Sequence, residues 1–430
     1  MMRTGLAYAA SVLAVCMAGS AAQSADLGVP RTPVAAEVMA SGFTWTAVYG
    51  GLHAGYGFAN TAISVPGAFG FSGIGSNGWL VGGKIGADYQ FAQRWVAGVL
   101  LEGNLQGIDT VMGIGGLGNI KFSGDRRWAI RGRLGYLLTP ETMLYVTGGF
   151  TQGRTTLSAP GGLGSISFSA NGWQIGGGVE TRLSGNWFMY AEYIHTFSNS
   201  FGQFAPLSVK PTSGTARIGI NYRFGVGGLH PTFAAPARRN WSGFFAGVQA
   251  GYGFGNTTIS TPPAGSFRGL GSQGMTGGVL AGYDHQFAGT NIVAGVEGDA
   301  SLSDIKTTIS GVGASASIGS DWNIGLRARL GYVMGGSIMP YVSAGYGWTH
   351  VKTSGLGGGF TQSLSGFQLG AGVETMLTAN VALRAEYIHQ FNSSRDLVPG
   401  ILRTRTDNGR ARVGITYKFG GEDAAVVARY

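Results

Sequence analysis

The segment "RIGINYRFG" at 217–225 returns as "RVGITYKFG" at 412–420, and both read Arg-x-Gly-x-x-Tyr-x-Phe. Other blocks repeat in the same order. "WTAVYGGLHAGYGFANT" (45–61) matches "WSGFFAGVQAGYGFGNT" (241–257), "RGRLGY" (131–136) matches "RARLGY" (327–332), and "AEYIHTFSNS" (191–200) matches "AEYIHQFNSS" (385–394). The offset stays at about 194–197 residues. Solenoids repeat every roughly 20–45 residues, so a period this long marks a duplicated domain. Whatever one copy folds into, the chain must build twice.

Each copy alternates with a period of two. In 79–91, Trp79, Val81, Ile85, Ala87, Tyr89 and Phe91 take one face, and Lys84, Asp88 and Gln90 the other. Ile130, Leu134 and Tyr136 oppose Arg131 and Arg133; Trp187, Met189, Tyr193 and Phe197 oppose Glu192. This is the signature of β-strands with one apolar face. It gives eight strands per copy, from 43–58 to 212–224 and from 240–257 to 408–420. Runs of 12–18 residues exceed the usual globular strand and suit tilted membrane-spanning ones. Short connections at 92–94, 139–142 and 184–186 alternate with long Gly/Ser/Pro-rich ones at 59–75, 108–121, 157–164 and 200–211. Short turns on the periplasmic side and long outer loops are the outer-membrane pattern. A soluble sandwich also alternates, with its apolar face inward. Aromatics at strand ends and charges in mid-strand on the opposite face speak against it.

Composition points the same way. Charged residues make up 11%, and the 79 glycines follow no Gly-x-y period. With 44% hydrophobic residues and 13 prolines, the chain is not a disordered low-complexity sequence. No stretch after the first 25 residues approaches 18 consecutive apolar residues, so spanning helices are not expected. Arg3, the apolar run from Leu6 to Gly19 and the small residues of "SAAQSADL" read as a cleaved export signal. Cleavage after Ser24 or Ala22 fits, with Ser24 preferred. The one cysteine, Cys16, lies in that segment, leaving no disulfide or thiolate chemistry for the mature chain. The expected plan is signal peptide 1–24, Pro/Ala leader 25–42, barrel one 43–224, linker 225–239, barrel two 240–420 and tail 421–430.

Strand parity points Lys84, Asp88, Glu102, Arg131, Arg133, Glu180, Arg182, Glu192, Arg217 and Arg223 inward in copy one. In copy two it points Asp284, Glu297, Arg327, Arg329, Glu374, Glu386, Arg412 and Lys418 inward. An eight-stranded barrel is only wide enough for its own side chains. Charges buried there must pair, so a network that plugs and stiffens each barrel is expected. The alternative is a gated, narrow ion path lined by the same groups.

No catalytic, cofactor-binding or metal-binding residue emerges. His195 and His389 sit beside Tyr193 and Tyr387 near outer strand ends, with lipid-side parity; they read as girdle residues, without a matched Ser and acid. The six histidines lack metal-ligand spacing, and the Gly-rich pieces lack the strand–helix context and Lys of a phosphate loop. The net charge of +9 is dispersed on an exported chain, which argues against nucleic acid. The last outer loop is denser: Arg395, Arg403, Arg405 and Arg410 with Asp396 and Asp407. It is either a solvated loop or a contact for anionic lipopolysaccharide.

On these residues the chain resembles the porin-family outer-membrane β-barrel proteins of alphaproteobacteria, each copy being similar to an OmpA-type eight-stranded membrane barrel. The resemblance rests on the "ADL" start at 25–27, "W-x-G-x-x-x-G-x-x-x-G-Y-G" at 241–253, "R-x-R-L-G-Y", "AEYIH" and the closing strands, and covers nearly all of 25–420. Arg217, Gly219, Tyr222, Phe224 and Arg412, Gly414, Tyr417, Phe419 resemble the last-strand signal read by the barrel-assembly machinery. A closing strand in mid-chain implies that one barrel ends there and a second begins; one sixteen-stranded barrel is the alternative. Members of the family usually carry one barrel and end on the last-strand aromatic, whereas this chain carries two and a tail. The resemblance implies the cell outer membrane as location, with its lipids and lipopolysaccharide as surroundings. It implies a non-enzymatic structural, envelope-integrity and surface-antigen role, with porin-like passive transport as the alternative. A lipid-modifying or haem-binding barrel comes third, and no His pair points to haem.

Overall fold

The computed structural model describes residues 44–419 except 115–117, 159–163, 200–205, 207, 226–239, 262–264, 335, 356–358, 360 and 399–401. The expected signal peptide, leader and tail, and the linker beyond Gly225, lie outside the described residues.

Copy one forms β1 (Ala47–Val65), β2 (Phe69–Ala92), β3 (Trp95–Ile114), β4 (Gly118–Thr139), β5 (Thr142–Ser158), β6 (Ser165–Ser184), β7 (Trp187–Ser198) and β8 (Ser208–Phe224). Copy two forms β9 (Gly243–Thr261), β10 (Gly265–Gln286), β11 (Ile292–Gly311), β12 (Ala314–Tyr332), β13 (Ile338–Gly355), β14 (Thr361–Met376), β15 (Val381–Asn392), the short β16 (Arg395–Val398) and β17 (Leu402–Lys418). Within each copy every strand pairs antiparallel with the next, save that β15 pairs with β17 and β16 lies on the outer end of β17. β8 returns to β1, from Val48↔Phe224 to Ser64↔Ser208. β17 returns to β9, from Phe245↔Lys418 to Ser260↔Arg403. Closure happens twice, so the chain builds two eight-stranded barrels rather than one ring of sixteen.

Alternation decides which way each side chain points. Val48, Leu52, Ile85, Val99, Ile130, Val146, Ile175 and Ile220 stand exposed on the outer wall of barrel one, while the intervening charged residues are buried. Aromatic pairs ring the short-turn end: Trp95 with Tyr136 at 5.1 Å between ring centres, Trp187 with Tyr222 at 5.0 Å, and Tyr417 with Phe419 at 5.0 Å. Such belts sit at a membrane interface.

The short turns fall where the sequence places them, but two of the expected long loops are strand. Residues 59–75 form the outer ends of β1 and β2, joined across a tight turn in which Gly67 has φ 76°. Most of 108–121 likewise extends β3 and β4. With Ser, Thr, Asn and Gly spread through these stretches, no apolar stripe marks the strand, although the backbone still pairs. A spanning strand needs roughly 9–11 residues, so β2, with 24, projects well beyond the hydrocarbon layer.

The outer walls of the two barrels meet at three levels. Beyond the membrane, β10 pairs with β3 (Gly265↔Ile114 to Arg268↔Val111) and β2 with β11 (Phe69↔Gly311 to Phe71↔Ile309). Below this, Phe58 and Phe254 stack with centres 5.1 Å apart and planes 4° from parallel. Towards the short turns, Met189 packs with Ile338 and Val373, flanked by Leu183 and Ala191.

Candidate functional site: two filled lumens

Each lumen starts from an apolar floor. Trp45, just before β1, is 1% exposed and tucks into the short-turn mouth among Val96, Leu137, Met143, Tyr145 and Phe188. Its indole N–H donates to the Pro140 carbonyl at 2.9 Å, and its backbone N–H donates to Gln90 Oε1 at 3.1 Å. Trp241 does the same for barrel two among Val293, Val333, Met339, Tyr341, Met376 and Ala382.

Above the floor lies a tier of ion pairs. Arg133 grips both oxygens of Asp88 and donates to Glu180 at 2.7 Å. Arg223 donates to Asp88 and Glu180, each at 2.8 Å, and lays its guanidinium 4.5 Å from the centre of the Trp45 ring. In barrel two, Arg329 holds Asp284 and reaches Glu374 at 3.0 Å, while Lys418 lies 2.9 Å from Asp284 and 3.1 Å from Glu374.

A second tier sits higher. Arg131 pairs with Glu102 and lies 3.4 Å from Glu192; Arg217 donates to Glu102 at 2.5 Å. Asn104 donates to Glu102 at 2.6 Å and sits 2.6 Å from His53 Nε2, and the Tyr145 hydroxyl donates to Glu192 at 3.1 Å. In barrel two, Arg327 bridges Glu297 and Asp299, both at 2.5 Å. Arg412 bridges Asp299 at 2.6 Å and Glu386 at 2.7 Å, and Arg384 joins Glu297 at 2.5 Å to Glu386 at 2.7 Å. The ion-paired side chains are at most 4% exposed. Burying a charge costs several kcal/mol unless it is paired, and here most acids receive two bases. Lys84 differs: its ammonium has no hydrogen-bond partner among the described residues and sits 3.2 Å from the centre of the Tyr190 ring. A cation over an aromatic face is held by the ring quadrupole.

Lys84, Asp88, Glu102, Arg131, Arg133, Glu180, Glu192, Arg217, Arg223, Asp284, Glu297, Arg327, Arg329, Glu374, Glu386, Arg412 and Lys418 are all buried in the lumens. Arg182 is a correction. Its side chain is 25% exposed at the short-turn rim, 3.4 Å from Glu141 and donating to the Gly185 carbonyl at 2.7 Å. β6 ends two residues later, so inward parity there leads to the mouth, not the interior. Arg410 is a second correction. It is no loop residue but a buried one, donating to Gln390 at 3.3 Å. Arg405 does stay outside, 3.5 Å from Asp407; the side chains of Arg395 and Asp396 lie outside the described residues. His195 and His389 point outward, yet they are covered by the other barrel rather than by lipid: His389 is 5.3 Å from Tyr56 and His195 5.2 Å from Tyr252 between ring centres.

Sequence reasoning missed Asp299 and Arg384. Each lies two residues from an inward acid, Glu297 or Glu386, so parity alone could have found them. It also missed the paired tryptophans: the expected first strands, 43–58 and 240–257, take in Trp45 and Trp241, whereas both precede β1 and β9. In the closing strands, Arg217 and Arg412 enter the lumen networks, while Tyr222, Phe224, Tyr417 and Phe419 point outward at the short-turn end. Gly219 lies under Tyr190: a methyl group there would stand 2.6 Å from that ring and 2.5 Å from the Leu52 carbonyl.

Known proteins carry the same unit. The family described as outer membrane protein beta-barrel domain matches residues 9–224 and again 229–419. The 25 kDa outer-membrane immunogenic protein of Brucella canis is 34% identical over 191 residues, covering 44% of this chain and 84% of the relative. The 22 kDa outer membrane protein of Rhizobium leguminosarum bv. viciae is 32% identical over 182 residues, covering 42% and 79%. Among solved structures, neisserial surface protein A aligns with 41% of this chain and 98% of its own length, at 21% identity and a TM-score of 0.26. With the family matched twice over nearly the whole length, and the lumens and membrane belts in place, the chain belongs to the outer-membrane β-barrel family and holds two of its domains in tandem in the cell outer membrane.

Proposed function

We propose that this protein is a non-catalytic structural component of the outer membrane, supporting envelope integrity and presenting a surface antigen. The observation that carries this reading is the filling of both lumens by a tryptophan floor and two tiers of buried ion pairs. A barrel built to pass solutes keeps its interior open and wet. The name of the Brucella relatives, outer-membrane immunogenic protein, supports the antigen part, as do outer hairpins that project past the membrane. The closing-strand aromatics are the contact for the assembly machinery, so Phe419→Ala lowers the amount of folded protein in the outer membrane. Arg403 and Arg405 on the outer rim face the lipopolysaccharide headgroups.

Deletion in the native host tests the reading. The expected phenotype is sensitivity to detergents and bulky apolar antibiotics, with unchanged uptake of small hydrophilic solutes. Uptake that falls on deletion and returns with the gene would support passive transport instead.

A further inference from the structure

The contact between the barrels repeats under exchange of the two copies. Tyr56 on β1 meets His389 on β15 at 5.3 Å; Tyr252, its counterpart on β9, meets His195 on β7 at 5.2 Å. Tyr56 lies 6.3 Å from Tyr387, and Tyr252 6.4 Å from Tyr193. The three pairs of β2 on β11 are the counterparts of three of the four pairs of β10 on β3. Three contacts join a residue to its own counterpart: Phe58 with Phe254, Ile74 with Leu270, and Gly75 with Gly271. Phe254 packs over Gly214 and Phe58 over Gly409, again a counterpart pair. This is the pattern of an isologous twofold interface, with the axis running between two copies in one chain.

A tether alone does not produce it. The linker limits how far the barrels can separate, but it does not match contacts at both the outer ladders and the aromatic level below them. Nor does lipid drive it, because acyl chains are as apolar as the barrel wall. Association in a membrane needs close packing over small residues and hydrogen bonds across the contact. Both are present. A methyl group on Gly75 would stand 2.5 Å from the Gly271 Cα, so the backbones touch there. Asn256 donates to Asn77 at 2.8 Å, and Ser72 exchanges hydrogen bonds with the backbone of Thr308 at 2.8 and 3.1 Å.

We propose that each barrel carries a self-complementary dimer surface whose partner is a second copy of the same barrel, and that this surface rather than the linker holds the pair. The covalent fusion fixes an association that the walls already encode.

Two experiments on the full-length chain test this. In the first, Ile74→Cys is combined with Leu270→Cys. The two positions oppose each other in an antiparallel ladder, a separation of about 4.5–5.5 Å that a disulfide can bridge. Cys16 is the one native cysteine, so background is low. In the second, a protease site is placed within 226–239 and cut after folding. Mild oxidation is expected to link the two cysteines within one chain, shifting its mobility on a non-reducing gel. A Leu144→Cys, Val342→Cys pair on exposed walls is expected to give no shift. The cut halves are expected to co-elute in mild detergent, each still resisting SDS before heating. Halves that separate while folded would overturn the proposal, as would a cysteine pair that stays reduced or links only different chains. If the inserted site resists the protease, the cysteine pair decides alone.

Discussion

Arg384 donates to Glu297 at 2.5 Å in the second lumen, where the first carries Tyr190 and Leu100. An acid and a base thus appear together at adjoining places, while the Lys84 beside Tyr190 gives way to Leu280. Breaking a buried pair strands a charge, so Arg384→Tyr or Glu297→Leu alone is expected to cost about 3–5 kcal/mol. The double variant Glu297→Leu, Arg384→Tyr brings in the Leu and Tyr of barrel one, with Leu280 in place of Lys84, and is expected to recover most of that loss. Urea unfolding in micelles, followed by tryptophan fluorescence, measures both; losses that simply add would contradict the coupling.

The position of an ion pair sets its worth. Arg133 is wholly buried against Asp88 and Glu180, whereas the Lys306–Asp304 pair is 54% and 72% exposed. Arg133→Met is expected to destabilise barrel one by about 3–5 kcal/mol, and Lys306→Met by about 1 kcal/mol or less. The same unfolding midpoints check the contrast.

The closing strand of barrel one leaves no room at Gly219. A methyl group there meets Tyr190 and the Leu52 carbonyl, so Gly219→Ala is expected to cost about 1–3 kcal/mol through overpacking. Gly103, outward with nothing within 4 Å, tolerates the same change. The heat needed to convert folded to unfolded bands on a gel compares the two.

The floor is expected to act on stability rather than on flow. Trp45→Ala removes the edge contact with Phe188 at 5.2 Å and the ring beneath Arg223, at an expected cost of about 3–5 kcal/mol. Two tiers of ion pairs still lie above it, so the variant is expected to pass no current. Steady conductance from Trp45→Ala would make the floor the gate.

The alternation around Arg131, Arg133 and Glu192 makes the inward faces legible, and the repeated Arg-x-Gly-x-x-Tyr-x-Phe marks where each barrel closes. What was not legible has physical causes. Reading copy two through copy one hides Arg384, because its counterpart is Tyr190. Arg410 passes for a loop residue because it follows the charged run of Arg403, Arg405 and Asp407, although the expected strand 408–420 already holds it; β17 takes in that run and buries Arg410. The outer hairpins carry polar residues on both faces, and pairing of the backbone leaves no trace in such a pattern. His195 and His389 show outward parity, but a wall covered by lipid and a wall covered by another barrel need the same kinds of side chain.

Single-channel recording of the purified, folded protein in a planar bilayer tests most directly whether both barrels are filled. Silence, or rare small flickers, is expected across the accessible voltage range. Large, steady, reproducible steps would contradict that expectation, because current on that scale needs a lumen free of the pairs that Arg133 and Arg384 make.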